Sequence, residues 1–179
     1  MFSRLRSGRA VPLLRTVLQH TARRQIHEHF QYNRAIVGSL NDRFADYSVR
    51  FEEPDVPISL QKAKQQHANY VQQLRKLLPG KIIQIPPNNA FPDQVYVEDP
   101  GVVYDGIALL TKMKEATRAG EKEMMTNALE QLGLPVYEMK DPNATLDGGD
   151  VLFTGREFFV GISSRTNAVR IAYTLMSVL

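Results

Sequence analysis

The 179 residues contain no cysteine. A disulfide framework, thiolate zinc sites and a catalytic thiol are therefore excluded within them. There is also no run of about 18 uncharged apolar residues, so no helix is predicted to span a bilayer. What remains is 43% hydrophobic, 8% aromatic and 23% charged. That composition closes a core and excludes disorder of the whole chain. The length fits one domain, or one domain and a tail.

Acidic residues are missing from the first 25 positions, and lysine from the first 30. Residues 1–30 hold six arginines against Glu28, a formal +5, while residues 31–179 hold 16 basic and 18 acidic residues, a formal −2. The basic excess is thus a leader on a slightly acidic body. Arginines interleaved with Leu5, Val11, Leu13, Leu14, Val17 and Leu18 have the composition of a mitochondrial presequence. Arg15 interrupts the apolar core that a secretory signal needs, and Pro12 opposes one straight helix. The alternative is a disordered basic leader on a cytoplasmic protein. Nucleic-acid binding needs interleaved aromatics, and only Phe2 precedes Phe30. The domain reading is a leader over 1–30 and an α/β domain over 31–179.

Short apolar runs alternate with amphipathic stretches in that domain. Residues 34–37 predict a buried strand, and residues 41–57 a long functional loop. Helical spacing of Tyr70, Val71, Leu74, Leu77 and Leu78 predicts a helix over 58–78, ended by Pro79 and Gly80. Strands are predicted at 81–85, 95–97, 102–104 and 107–110, the last two joined through Asp105 and Gly106. A helix over 121–132 and a strand over 136–139 follow. Residues 151–153 and 157–160 predict a second hairpin, and a final helix begins near Arg165. The unit is ββαβ-like, and such units bury their helices only by packing together. The chain stops within a helical pattern on Leu-Met-Ser-Val-Leu, which reads as truncation.

Two polar clusters carry candidate chemistry. In residues 91–99, Asp93, Glu98 and Asp99 bracket an apolar stretch, and strand alternation puts Asp93 and Asp99 on one side with Glu98 on the other. Carboxylates at strand ends suit a guanidinium, which takes two-pronged acceptors. They equally suit a charged turn. The second cluster runs from Asn143 to Val151, where the adjacent glycines between Asp147 and Asp150 permit either a close backbone approach or positive φ. No lysine follows them, so this is not a phosphate-binding loop. Arg118 and Arg165 follow the helix-start signals Thr117 and Ser163-Ser164. An arginine there can hold a carboxylate or serve as a salt-bridge partner. Of the histidines, His20, His27 and His29 lie in the leader and His67 on the polar part of the long helix. None is a convincing general base.

The stretch Phe-Pro-Asp-Gln-Val-Tyr-Val-Glu-Asp over 91–99, with the long stretch from Glu138 to Gly161 some fifty residues on, closely resembles dimethylarginine dimethylaminohydrolase (dimethylargininase). The resemblance runs from about Ala35 to about Asn167. It implies a fan of five ββαβ modules, the pentein-type α/β propeller, of which about three are present. It further implies hydrolysis of Nω-methylated arginines to citrulline and methylamines, an activity that regulates nitric oxide synthesis, with no metal or organic cofactor. A cysteine thiolate attacks the guanidinium carbon and a histidine moves protons.

By the same resemblance, Asp93, Glu98 and Asp99 contact substrate, and Arg118 and Arg165 hold its α-carboxylate. Asp147 orients the catalytic histidine, and Val49 stands where the family has an aliphatic lid residue. The family's histidine and cysteine have no counterpart in these residues, and residues after Asn167 depart from its pattern. The chain as it stands is expected to be inactive. The implied partner is a small molecule, a methylated arginine, rather than nucleic acid. The alternative function is a non-catalytic binder of methylarginine or arginine. A deiminase or amidinotransferase is disfavoured by Glu98-Asp99 and by residues 154–159.

Overall fold

Each ββαβ unit needs a tight reversal, a helix start and a helix stop, and the chain supplies these locally. The computed structural model describes residues 32–167 apart from 51 and 53. The predicted leader over 1–30, and whatever of the predicted final helix follows 167, lie outside them.

Strand β1 (Ala35–Gly38) pairs in parallel with β2 (Ile82–Ile85), Ala35 opposite Ile82. Parallel pairing needs a crossover, here helix α2 (Leu60–Leu77); the short helix α1 (Phe44–Tyr47) precedes it within the predicted loop. Ser59 caps α2 by accepting from the Lys62 amide at 3.3 Å. Arg75 and Lys76 sit favourably in its last turn.

Strands β3 (Gly101–Tyr104) and β4 (Ile107–Leu110) are antiparallel. Asp105 (φ 46°) and Gly106 (φ 81°) turn the chain between them, the two positive values that a tight hairpin requires. Helix α3 (Glu121–Gln131) carries Glu121 and Glu123 in its first turn. Gly133 (φ 70°) ends it, its amide bonding the Glu130 carbonyl at 2.9 Å. Strand β5 (Val136–Glu138) then joins β4 in parallel, completing one ββαβ module. Strands β6 (Val151–Phe153) and β7 (Phe158–Val160) form a third, two-stranded sheet. Among the described residues the architecture is that of a pentein-type α/β propeller, about three modules of it, as the resemblance implied.

Residues 153–158 cluster as a unit apart from Tyr32–Leu152 and the residues from Phe159 on. In that small unit the Phe153 and Phe158 rings lie 4.7 Å apart, and the Thr154 amide bonds the Glu157 carbonyl at 3.0 Å. In the larger unit α3 supplies the core. Met125 and Leu129 pack with Ala108 and Leu110, while Ala128 packs with Ile83 and Ile85. Ile36 and Val97 touch both clusters. One amphipathic helix thereby seals two sheets.

Two expectations from the sequence differ from the structure. Residues 95–97 are consecutive turns, with Gln94, Tyr96 and Asp99 amides bonding the carbonyls of Phe91, Asp93 and Tyr96. Val95 and Val97 favour a strand, but Pro92 and Pro100 bracket the segment and its amides bond three residues back, so no ladder forms. Residues 164–166 form a bend rather than a helix start. The Ser163 hydroxyl accepts from the Arg165 and Thr166 amides, both at 3.0 Å, and competes with helix there.

Candidate functional site

The turns of 91–99 aim side chains that a strand would have alternated. Asp93 and Gln94 are both buried although adjacent, and Asp99 is buried while Glu98 is exposed. Asp93 accepts from the Ser48 hydroxyl and from the Val49 amide, at 3.1 and 3.2 Å for its two oxygens. The segment after α1 is thus moored to this carboxylate, with the Val49 side chain left exposed.

Arg118 ends a 3₁₀ turn (Ala116–Arg118) just before α3 and is 4% exposed. Its Nε and Nη2 donate to the two oxygens of Glu121, at 2.9 and 2.7 Å, in a two-pronged pair. Nη1 donates to Asp99 at 2.5 Å, and Nη2 also reaches the Tyr96 and Asp93 carbonyls at 3.2 and 3.4 Å. Burial disfavours the Arg118 cation, but its bonds to Glu121 and Asp99 outweigh this and hold its proton beyond the usual arginine range. Burial pushes the Glu121 carboxyl up, Arg118 pulls it back, and Asp93 and Asp99 add to the rise.

The glycine pair resolves as close approach rather than positive φ, since neither glycine is among those with positive values. A Cβ on Gly148 would lie 2.1 Å from the Glu98 carbonyl oxygen, and one on Gly149 2.7 Å from the Asp99 carboxylate. The Gly148 amide donates to the Asp99 carbonyl at 2.8 Å. Two glycines therefore bring Asp147 up against Asp99. Asp147 is buried, its amide bonds the Thr166 hydroxyl at 3.0 Å, and its carboxylate lies 3.6 Å from the Arg165 guanidinium. Burial raises the Asp147 carboxyl above its ordinary value and Asp99 adds to the rise, against the pull of Arg165 and Arg118.

Val49, Asp93, Tyr96, Glu115, Arg118 and Arg165 line one small, open hollow. Four of the seven candidate residues meet there. Asp99 stands behind Arg118 and Asp147 behind Arg165, while Glu98 lines no part of it. Two acids and two arginines on the wall suit a zwitterion, and the carboxylates of Asp99, Glu121 and Asp147 behind them tilt the field toward a cation. Sequence reasoning missed Tyr96, Glu115, Glu121, Ser48 and Thr166. Only Glu121 carried a signal, its three-residue spacing from Arg118 across a helix start. His67 is half-buried and bonds the Gly38 backbone; burial lowers its pKa. Among the described residues no three His, Cys, Asp or Glu side chains gather as metal ligands would, and no helix is long and apolar enough to cross a membrane.

Residues 28–176 match the family described as N,N dimethylarginine dimethylhydrolase, eukaryotic. The chain is similar to the Bos taurus protein named DDAH2, 42% identical over 110 residues, 62% of this chain and 39% of that protein. It is also similar to the N(G),N(G)-dimethylarginine dimethylaminohydrolase of Pseudomonas aeruginosa, 33% identical over 107 residues, 60% of this chain and 42% of that enzyme. A solved structure of a Pseudomonas aeruginosa mutant enzyme complexed with citrulline superposes with a TM-score of 0.69 at 29% identity, over 83% of this chain and 56% of that one. The chain thus spans about two fifths of the length of these two relatives.

Proposed function

The chain belongs to the eukaryotic dimethylarginine dimethylhydrolase family, and from that membership we propose that its protein hydrolyses Nω-methylated arginines to citrulline and a methylamine, with these residues supplying the grip on the substrate. The convergence of Asp93, Arg118 and Arg165 on one hollow carries the reading. An amino acid with a guanidinium at one end and a carboxylate and ammonium at the other needs both signs of charge in one place. We assign Asp147 the role of the carboxylate that orients a histidine, a reading supported by its burial, its amide bond to the Thr166 hydroxyl and its closeness to Asp99.

The 179 residues hold no thiol, so they bind without turning over. Two measurements on the purified chain test this. Calorimetry with asymmetric dimethylarginine gives a heat of binding that Asp93→Asn diminishes, and a citrulline assay gives nothing above a no-protein control. Citrulline formation would refute inactivity, and absence of any binding heat would refute the grip. A second reading, a non-catalytic binder bearing on methylarginine levels and hence on nitric oxide synthesis, is favoured by the same lack of thiol. A transcript lacking any downstream histidine and cysteine would select it. For address, the acid-free arginine-rich leader supports mitochondrial delivery. Residues 1–30 fused to a fluorescent protein then co-localise with mitochondria, and a diffuse cytosolic signal opposes this.

A further inference from the structure

We propose that Glu121 is a positioning residue that fixes the Arg118 guanidinium and leaves it a single N–H with which to meet a ligand. An arginine has five N–H donors in a rigid planar fork. At Arg118 the Nε proton goes to Glu121 at 2.9 Å, one Nη2 proton to the other Glu121 oxygen at 2.7 Å, and the second Nη2 proton to the carbonyls of Tyr96 and Asp93. One Nη1 proton goes to Asp99 at 2.5 Å. Four donors are committed, and one Nη1 proton remains.

With four donors committed, Arg118 can offer little to a ligand. A two-pronged hold on a ligand carboxylate requires two parallel N–H groups from one edge of the fork. The Nε/Nη2 edge is closed by Glu121, and the other edge has given one proton to Asp99. Arg118 lines the hollow, yet it can contribute one hydrogen bond there at most. Glu121 sets this arrangement from the first turn of α3, where it is 2% exposed and meets no solvent that could compete. The guanidinium is held from both sides, so its plane is fixed before any ligand arrives. Only the identity of the group met by the last proton rests on the substrate reading above; the pairing itself does not.

Side-chain ¹H–¹⁵N spectra of the labelled 179-residue chain test this without any ligand, so the result stands apart from whether the chain binds methylarginine. Arg118→Lys deletes one set of resonances and assigns it. Charge-assisted bonds should slow exchange of the Arg118 Nε–H and Nη2 protons by about ten- to hundredfold against exposed Arg156. The two Nη1 protons should be unequal, one slow and one fast. In Glu121→Gln, which keeps the shape but one acceptor fewer, protection at one prong is lost. Wild-type Arg118 protons exchanging as fast as those of Arg156, or two equal Nη1 protons, would overturn the proposal even where the variant does not fold. So would a folded Glu121→Gln with protection unchanged.

Discussion

Replacing Gly148 by alanine puts a methyl carbon 2.1 Å from the Glu98 carbonyl oxygen, 3.1 Å from that of Gly101 and 3.3 Å from that of Asp99. Ordinary contact begins near 3.4 Å, and all three neighbours are backbone, so no rotamer change relieves the clash. The opposing segment is itself tied down. The Thr111 hydroxyl bonds the Asp99 carbonyl at 2.5 Å, and the Thr111 amide bonds the Pro100 carbonyl at 3.1 Å. Overpacking costs about 1–3 kcal/mol, and loss of the Gly148–Asp99 bond adds about 1 kcal/mol. The expected loss is therefore about 2–4 kcal/mol, a large share of a typical 5–15 kcal/mol stability. Gly106→Ala is the matched control, because it has a φ of 81° and no atom within 4 Å. Its cost is conformational, about 1–2 kcal/mol. Urea unfolding followed by circular dichroism compares the two midpoints, at a slope of about 1–3 kcal/mol per molar. A Gly148→Ala midpoint no lower than that of Gly106→Ala would show that the glycine pair does not mark a close approach.

Arg118→Met leaves the buried Asp99 and Glu121 carboxylates without their cation. It should cost about 3–5 kcal/mol in the same urea assay, and a loss under about 1 kcal/mol would show that the pair is dispensable. Asp147 has a folded pKa raised above 3.8 by burial and by Asp99. The wild type therefore gives up stability as pH rises through that window, whereas Asp147→Asn does not. The advantage of the variant should be absent below pH 3.8 and open as pH rises; a gap that ignores pH refutes the burial. Asp42 carries the opposite sign, because its bond to Lys64 lowers its pKa. The deficit of Asp42→Asn should be present above pH 3.8 and vanish as pH falls, and a deficit that persists in acid would count against the ion pair.

Much of the fold was legible because its signals are local. Asp105-Gly106 demands a tight turn, Pro79-Gly80 and Gly133 stop helices, and the apolar spacing of 121–132 writes a helix that faces two sheets. The candidate acids and arginines were legible too, as residue types in a specific order. Their partnerships were not. Ser48 bonds Asp93 across 45 positions and Thr166 bonds Asp147 across 19, with no pattern in the text between them.

What the sequence determined alone was the alternation of elements, an arginine-rich first 30 residues on an acidic remainder, a glycine pair open to close approach or positive φ, and the lack of a thiol. Those follow from residue identity and short-range sterics. Tertiary structure decided that 91–99 turns instead of extending, and that Arg118 spends four of its donors on the protein. Both outcomes depend on burial. An amide or guanidinium removed from water must find acceptors, and which acceptors stand within reach is settled only when distant segments pack together.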